Sequence, residues 1–224
     1  MKSYFTLFLI SCSILVSAQK TIYESIHFNT LSKDHKIIAI VPFLATLELD
    51  NDEQRLSPSE LKELEKKEGL EVQNALESYF LKRKSKKKFL VNFQNVKNTN
   101  AILAKNGITL DNIDIYTTQE LCEILGVDAL VSGNLTLSTL ISDGVPDVDF
   151  ISVLLGKADF GRIAIKISDG KTGKLLWKYE KTINRKSGKN TYAIIEAMMR
   201  TAARKFPYDR EKDKNRRRKK KNED

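Results

Sequence analysis

The hydrophobic pattern changes period along the chain, alternating like a strand in some segments and following a helical repeat in others. Runs rich in β-branched and aromatic residues predict strands, and two of these runs flank residues 169–173 (DGKTG), a sequence typical of a hairpin turn. The predicted strands are residues 36–49, 88–96, 129–141, 162–168 and 174–184.

Apolar residues at helical spacing predict four helices between and after these strands. Ser57 with Glu60, and Thr117 with Glu120, each form the capping box that begins a helix. Gly69 is a weak helix former in the middle of the longest one. The predicted helices are residues 57–84, 98–106, 117–125 and 191–206.

The order of these elements predicts one α/β domain. A β-α-β-α-α-β series is followed by a β-hairpin and a closing helix, which suits an α+β-like sandwich. We expect a mixed β-sheet with its long helices on one face. The predicted domain spans residues 36–208, after a flexible leader at 19–35 and before a disordered basic tail at 209–224.

The N-terminus has the pattern of a secretory signal peptide over residues 1–18. Lys2 precedes an apolar stretch at 4–16, which is too short to span a bilayer. We expect cleavage after Ala18, so that the mature chain begins at Gln19 and is exported. Residues 9–12 also fit a bacterial lipobox, and lipidation of Cys12 stays open as the alternative.

The formal net charge of +9 is concentrated in two clusters. The cluster near the C-terminus, at residues 216–221, has no apolar residue and cannot fold by burial. It is either a solvated tail or a contact for an anionic lipid or cell-wall polymer, through Arg216, Arg217, Arg218, Lys219, Lys220 and Lys221. The cluster at residues 82–88 either suits the negative end of a helix dipole or contacts an anionic surface. Nucleic acid ranks last among partners, because no aromatic residues interleave with these charges.

Candidate catalytic and metal-binding residues are few. His27 and His35 are not spaced with each other or with cysteine for zinc, and we expect both at the surface. Cys122 lies on the apolar side of a predicted helix and is expected to be a core thiol. The Gly170-Lys171-Thr172 sequence imitates a phosphate loop but lies between two strands. The sequence therefore predicts no enzyme, no metal and no cofactor.

The segment at residues 143–161 carries two further candidates. An apolar patch, formed by Phe150, Ile151, Val153, Leu154 and Leu155, either docks a partner protein or folds back onto the core. Four acidic residues leave open an enzyme whose carboxylates pair only in the fold, although their spacing does not match a calcium loop. These acidic residues are Asp143, Asp147, Asp149 and Asp159.

Three motifs resemble those of a broad group of bacterial envelope proteins: IVPF at 40–43, LGVDALVSGN at 125–134 and DGKTGKLLW at 169–177. The group includes the curli-secretion lipoproteins, the lipoprotein activators of penicillin-binding proteins and the N-terminal domain of TolB. The closing stretch at 198–208 resembles uncharacterised secreted proteins of Bacteroidetes. The resemblance implies the same fold and a role in protein–protein contact, in the periplasm or at the outer-membrane periphery of a Gram-negative bacterium.

We therefore expect a non-enzymatic accessory protein that docks an envelope protein partner through its α/β domain, in assembly or secretion at the outer membrane. Val153, Leu154 and Leu155 are the expected partner contacts. The alternative function is binding of an anionic polymer or lipid surface through the basic tail.

Overall fold

The computed structural model describes residues 21–48, 56–86, 89–141, 143, 159–184, 186, 188–202 and 206–208. Its strands are β1 (Thr21–Glu24), β2 (Ile37–Ile40), β3 (Leu44–Leu47), β4 (Asn92–Phe93), β5 (Ala129–Leu137), β6 (Asp159–Asp169) and β7 (Leu175–Asn184). Its helices are α1 (Phe28–Leu31), α2 (Pro58–Ser85), α3 (Val96–Lys105), α4 (Thr118–Leu125) and α5 (Thr191–Ala202), with a 3-10 turn at Ile113–Ile115. The predicted signal peptide and basic tail lie outside the described residues.

The strands form one mixed sheet, as the sequence predicts. Its order is β1-β7-β6-β5-β2-β4, and β3 also pairs with β5. The β2–β4, β2–β5 and β3–β5 pairings are parallel, whereas the β5–β6, β6–β7 and β1–β7 pairings are antiparallel. The predicted hairpin at residues 169–173 joins β6 to β7.

The two longest helices, α2 and α5, pack against each other on one face of the sheet, which confirms the predicted arrangement. Their apolar residues and those of the sheet form the larger core, in which Trp177, Phe80 and Met198 are fully buried. The shorter helices α3 and α4 lie on the opposite face and enclose a smaller core around Leu103, Leu121 and Leu130.

The sequence predicts one strand over 36–49, but the structure divides it at residues 41–43. Ile40 lies opposite Val131, whereas Leu44 lies opposite Asn134, so this strand carries one more residue than its partner. The extra residue lies among residues 41–43, where Pro42 has no N–H to donate to the sheet and the Phe43 N–H bonds the Gly69 carbonyl of α2 instead.

The second predicted strand, at 88–96, is reduced to the two residues of β4. The side chain of Asn95 caps α3 by accepting the backbone N–H of Lys97 (3.0 Å), so the helix begins at Val96 rather than at 98. Phe89 and Val91 are nevertheless buried in the core. Similarly, the strand predicted to run to 141 ends at residue 137, and the strand predicted from 162 begins at 159.

Residues 21–31 belong to the domain, which corrects its predicted boundary at residue 36. In β1, Ile22 lies opposite Tyr179 of β7. Phe28 is 4% exposed, and its ring packs edge-to-face on Tyr208 at 5.2 Å. The N-terminal segment therefore supplies one strand of the sheet and part of its core.

Candidate functional site

A cleft of about 640 Å³ opens at the end of the sheet where β5 begins and β6 ends. It brings together two motifs that lie far apart in sequence, the 125–134 segment and the hairpin turn. Thr30, His35, Cys122, Asp128, Asp169 and Thr172 are among the residues that line it.

Asp169 is the centre of a hydrogen-bond network at the base of this cleft and is 2% exposed. Its Oδ2 accepts the backbone N–H of Thr172 (2.7 Å) and the Thr172 hydroxyl (2.6 Å). Burial raises the pKa of the Asp169 carboxyl, but the hydrogen bonds from Thr172 and His35 outweigh burial and lower the pKa on balance. The ionised carboxylate thus holds the hairpin turn in place.

His35 contradicts the prediction of a surface histidine, because its side chain is only 5% exposed. Its Nε2 lies 2.8 Å from Asp169 Oδ1 and its Nδ1 lies 2.6 Å from the Tyr208 hydroxyl. An ionised carboxylate only accepts, so Nε2 carries a proton and, in the neutral ring, Nδ1 accepts from Tyr208. Burial raises the pKa of Tyr208, which keeps that hydroxyl protonated. His35 therefore links the start of β2 to the hairpin and to the C-terminal end of the domain.

Two further residues of the cleft are fixed in place, Asp128 by hydrogen bonds and Cys122 by burial. Asp128 Oδ2 accepts the backbone N–H groups of Lys36 (2.7 Å) and Ile37 (2.8 Å). Cys122 is 3% exposed, and burial raises the pKa of its thiol to about 12. The prediction of a core thiol is confirmed. A nucleophilic cysteine needs a lowered pKa and access, and Cys122 has neither.

In this cleft the buried Asp169 and the half-buried Asp128 are both engaged in hydrogen bonds to the backbone, and the Cys122 thiol stays protonated. Of the four aspartates in the 143–161 segment, Asp143 pairs with Lys67 at 3.1 Å, and both side chains are exposed. Asp147 and Asp149 lie outside the described residues. Within the described part of the chain, no group of three or more His, Cys, Asp and Glu side chains is arranged to hold a metal ion.

A second candidate surface is the β1 edge, which we define as strand β1 with the exposed side chains of Tyr23 and Ile26. Strand β1 ends the sheet, with β7 on one side and no described strand on the other. Tyr23 is 47% exposed and Ile26, just beyond the strand, is 91% exposed. Sequence reasoning missed this surface, because a single polar-flanked run of four residues gives no periodic signal.

The predicted partner residues Val153, Leu154 and Leu155 and the basic residues at 216–221 lie outside the described residues. Strands β5 and β6, which flank the 142–158 segment, meet at the end of the sheet opposite the cleft. A groove of about 390 Å³ lies at that end, lined by Thr136, Arg162 and Thr182 among others. Across the helices of the described residues, none has both the length and the apolar character needed to cross a membrane.

No protein-family model matches the chain, and no curated protein matches it. Lipoprotein GNA1162 from Neisseria meningitidis is a similar solved structure, at 16% identity over 66% of this chain and 81% of its own, with a TM-score of 0.39. The LpoB C-terminal domain from Salmonella enterica shares 9% identity over 70% of this chain and 92% of its own, with a TM-score of 0.35. The chain of a PelC dodecamer from Paraburkholderia phytofirmans shares 9% identity over 80% of this chain and 98% of its own, with a TM-score of 0.33.

Proposed function

We propose that the chain is a non-enzymatic accessory protein that docks a protein partner of the cell envelope through its α/β domain. The signal-peptide pattern at residues 1–18 supports export to the periplasm or the outer-membrane periphery. The observation that carries the docking role is the β1 edge, a terminal strand that carries the exposed Tyr23 and is followed two residues later by the exposed Ile26.

The β1 edge is suited to an extended segment of another protein. The outer backbone N–H and C=O groups of an edge strand match a second backbone and hardly any other ligand. Tyr23 and Ile26 supply apolar area beside that edge. Fully burying an isoleucine side chain contributes about 1.5–3 kcal/mol, or roughly a tenfold to hundredfold change in affinity.

Site-specific photo-crosslinking tests the β1 edge. A photoreactive side chain at position 26, in the full chain in cells, should give a covalent adduct with a protein. Ile26→Asp should reduce partner recovery by about tenfold or more. Ile115→Asp is the matched control, since Ile115 is also exposed (75%) but lies in the 3-10 turn. Equal recovery with both variants, or adducts with lipid alone, would contradict docking at β1.

Val153, Leu154 and Leu155 form a second proposed contact for the same partner. Replacing all three by Asp should abolish the complex while the thermal unfolding midpoint stays unchanged. If this variant unfolds, the three residues belong to the core and the contact is wrong.

Binding of an anionic lipid or cell-wall polymer through residues 216–221 is a second candidate function, favoured by the unbroken basic run. A chain that ends at Asp209 separates the two functions. If the full chain and the shortened chain both retain one stoichiometric protein partner, docking by the domain is supported. Capture of lipid or polymer alone, lost without the tail and falling steeply with salt, would replace docking by tail binding.

A further inference from the structure

One part of the sheet surface faces away from α2 and α5 and is formed by β5, β6, β7 and β1. The strand register aligns its side chains in rows across the sheet. Ser132 lies opposite Lys166, Lys166 opposite Lys178, and Lys178 opposite Tyr23. We call the surface made by this row and its neighbours Asn134, Arg162 and Glu180 the open face.

The open face contains two lysines directly opposite each other, Lys166 and Lys178. Like charges at opposed positions destabilise a sheet, whereas opposite charges stabilise it. Lys178 Nζ lies 2.7 Å from Glu180 Oε2, and Lys166 Nζ lies 3.1 Å from Asn134 Oδ1. The fold therefore tolerates this pair because each lysine has a polar neighbour on the open face.

The open face has a surplus of positive charge, although Glu180 lies among its cations. The Glu180 carboxylate also lies 3.6 Å from Arg162 and near Lys166, and Glu48 lines the groove that Arg162 and Thr182 share, so three cations face two acids. The hydrogen bond from Lys178, with the nearby charges of Arg162 and Lys166, lowers the pKa of Glu180. Arg162 is 68% exposed and Lys178 34% exposed at their side chains, so both are accessible to a partner.

We propose that the open face binds an acidic polypeptide segment of the partner that docks at the β1 edge. This inference rests on the proposed function. Tyr23 belongs to both surfaces, so one partner that pairs with β1 reaches Lys178 on the next strand, about 5 Å away. The positive surplus of the open face complements acidic side chains.

The position of Glu180 selects a polypeptide over a uniform polyanion. Glu180 lies beside Lys178 and Arg162. A polymer with a negative charge on every unit, bound to these two cations, would therefore place one of its own negative charges against the Glu180 carboxylate. A polypeptide can place acidic residues at the cations and a neutral donor or a basic residue at Glu180. Acidic polysaccharide and anionic lipid are therefore the competing outcomes of the test.

The test places a photoreactive side chain at position 182, on β7 opposite Arg162, in the full chain in isolated envelopes. We expect a protein adduct whose cross-linked peptide, sequenced by mass spectrometry, is rich in Asp and Glu. The double variant Lys166→Glu, Lys178→Glu should reduce its yield at least tenfold. Lys97→Glu with Lys105→Glu is the control, because it changes the net charge equally at exposed positions of α3 and should leave the yield unchanged.

Adducts with lipid or polysaccharide, a peptide without acidic residues, or equal loss in both double variants would overturn the inference. Lys166→Gln with Lys178→Gln replaces the first variant if charge reversal lowers the unfolding midpoint. A protein adduct at position 26 without one at 182 overturns this inference and leaves the proposed function standing. The absence of protein adducts at both positions overturns both.

Discussion

Gly133 of β5 lies directly under the ring of Phe43, so that a Cβ on residue 133 would stand 2.3 Å from Phe43 Cε1. Gly69 of α2 approaches the same residue from the other side, where a Cβ on residue 69 would stand only 2.1 Å from the Phe43 carbonyl oxygen. Two glycines thus allow a helix and a strand to close on Phe43. Gly69 is a packing requirement rather than merely a weak point in the helix.

Gly133→Ala should destabilise the domain by about 3 kcal/mol or more, beyond the usual range for overpacking. The added methyl would also stand 2.0 Å from the carbonyl oxygen of Ala164, a backbone atom that the sheet holds in place. Urea unfolding measures the change, with Ser132→Ala as the control at the half-buried neighbour. A loss below about 1 kcal/mol would mean that β5 and β6 shift apart easily.

Gln73→Met should cost about 1–3 kcal/mol, because it leaves a buried carbonyl without a partner. Gln73 is fully buried, and its Nε2 donates to the carbonyl of Ile40, the last residue of β2, at 2.7 Å. Methionine keeps the volume but loses this donor and the two hydrogen bonds that Gln73 exchanges with Asn100 (2.9 and 3.1 Å), so the change in the free energy of unfolding measures the three bonds together. Gln94→Met, at a side chain that is only partly buried, should cost less.

The elements that the sequence predicts correctly are those that local chemistry specifies. The capping boxes begin α2 and α4 as expected, with Ser57 accepting from Glu60 N and Thr117 accepting from Glu120 N. The turn at 169–173 also forms where its residues indicate. In each case, the interacting groups lie within a few residues, so a short window of sequence contains the whole cause.

The relationships that sequence reasoning missed depend on residues far apart in the chain. His35 lies 134 residues from Asp169 and 173 from Tyr208, and no spacing rule connects them. Strand β1 is held by β7, more than 150 residues later, and its own four residues specify little. The candidate surfaces therefore appear only when the sheet is assembled.

Cys122 should be almost inert in the folded protein. With its pKa raised to about 12 by burial, the thiolate fraction at about pH 8 is on the order of 10⁻⁴, roughly a thousandfold below that of a free thiol. The chain from Gln19 has this cysteine alone. Alkylation followed by mass spectrometry should be slow in buffer and fast in guanidinium. Fast alkylation of the native protein would reopen a nucleophilic role for the cleft.

Asp169 should make the stability of the domain sensitive to acid. Burial opposes ionisation, but hydrogen bonds from Thr172 and His35 hold the folded-state pKa below the ordinary value of 3.8. A lowered pKa in the folded state contributes stability above the unfolded value and loses it as pH falls through the folded one. Asp169→Asn should therefore flatten the dependence of the unfolding free energy on pH below about 4, measured by urea titration. Asp34→Asn, at a side chain 76% exposed, should leave the slope as it is. An unchanged slope for Asp169→Asn would place the acid sensitivity elsewhere.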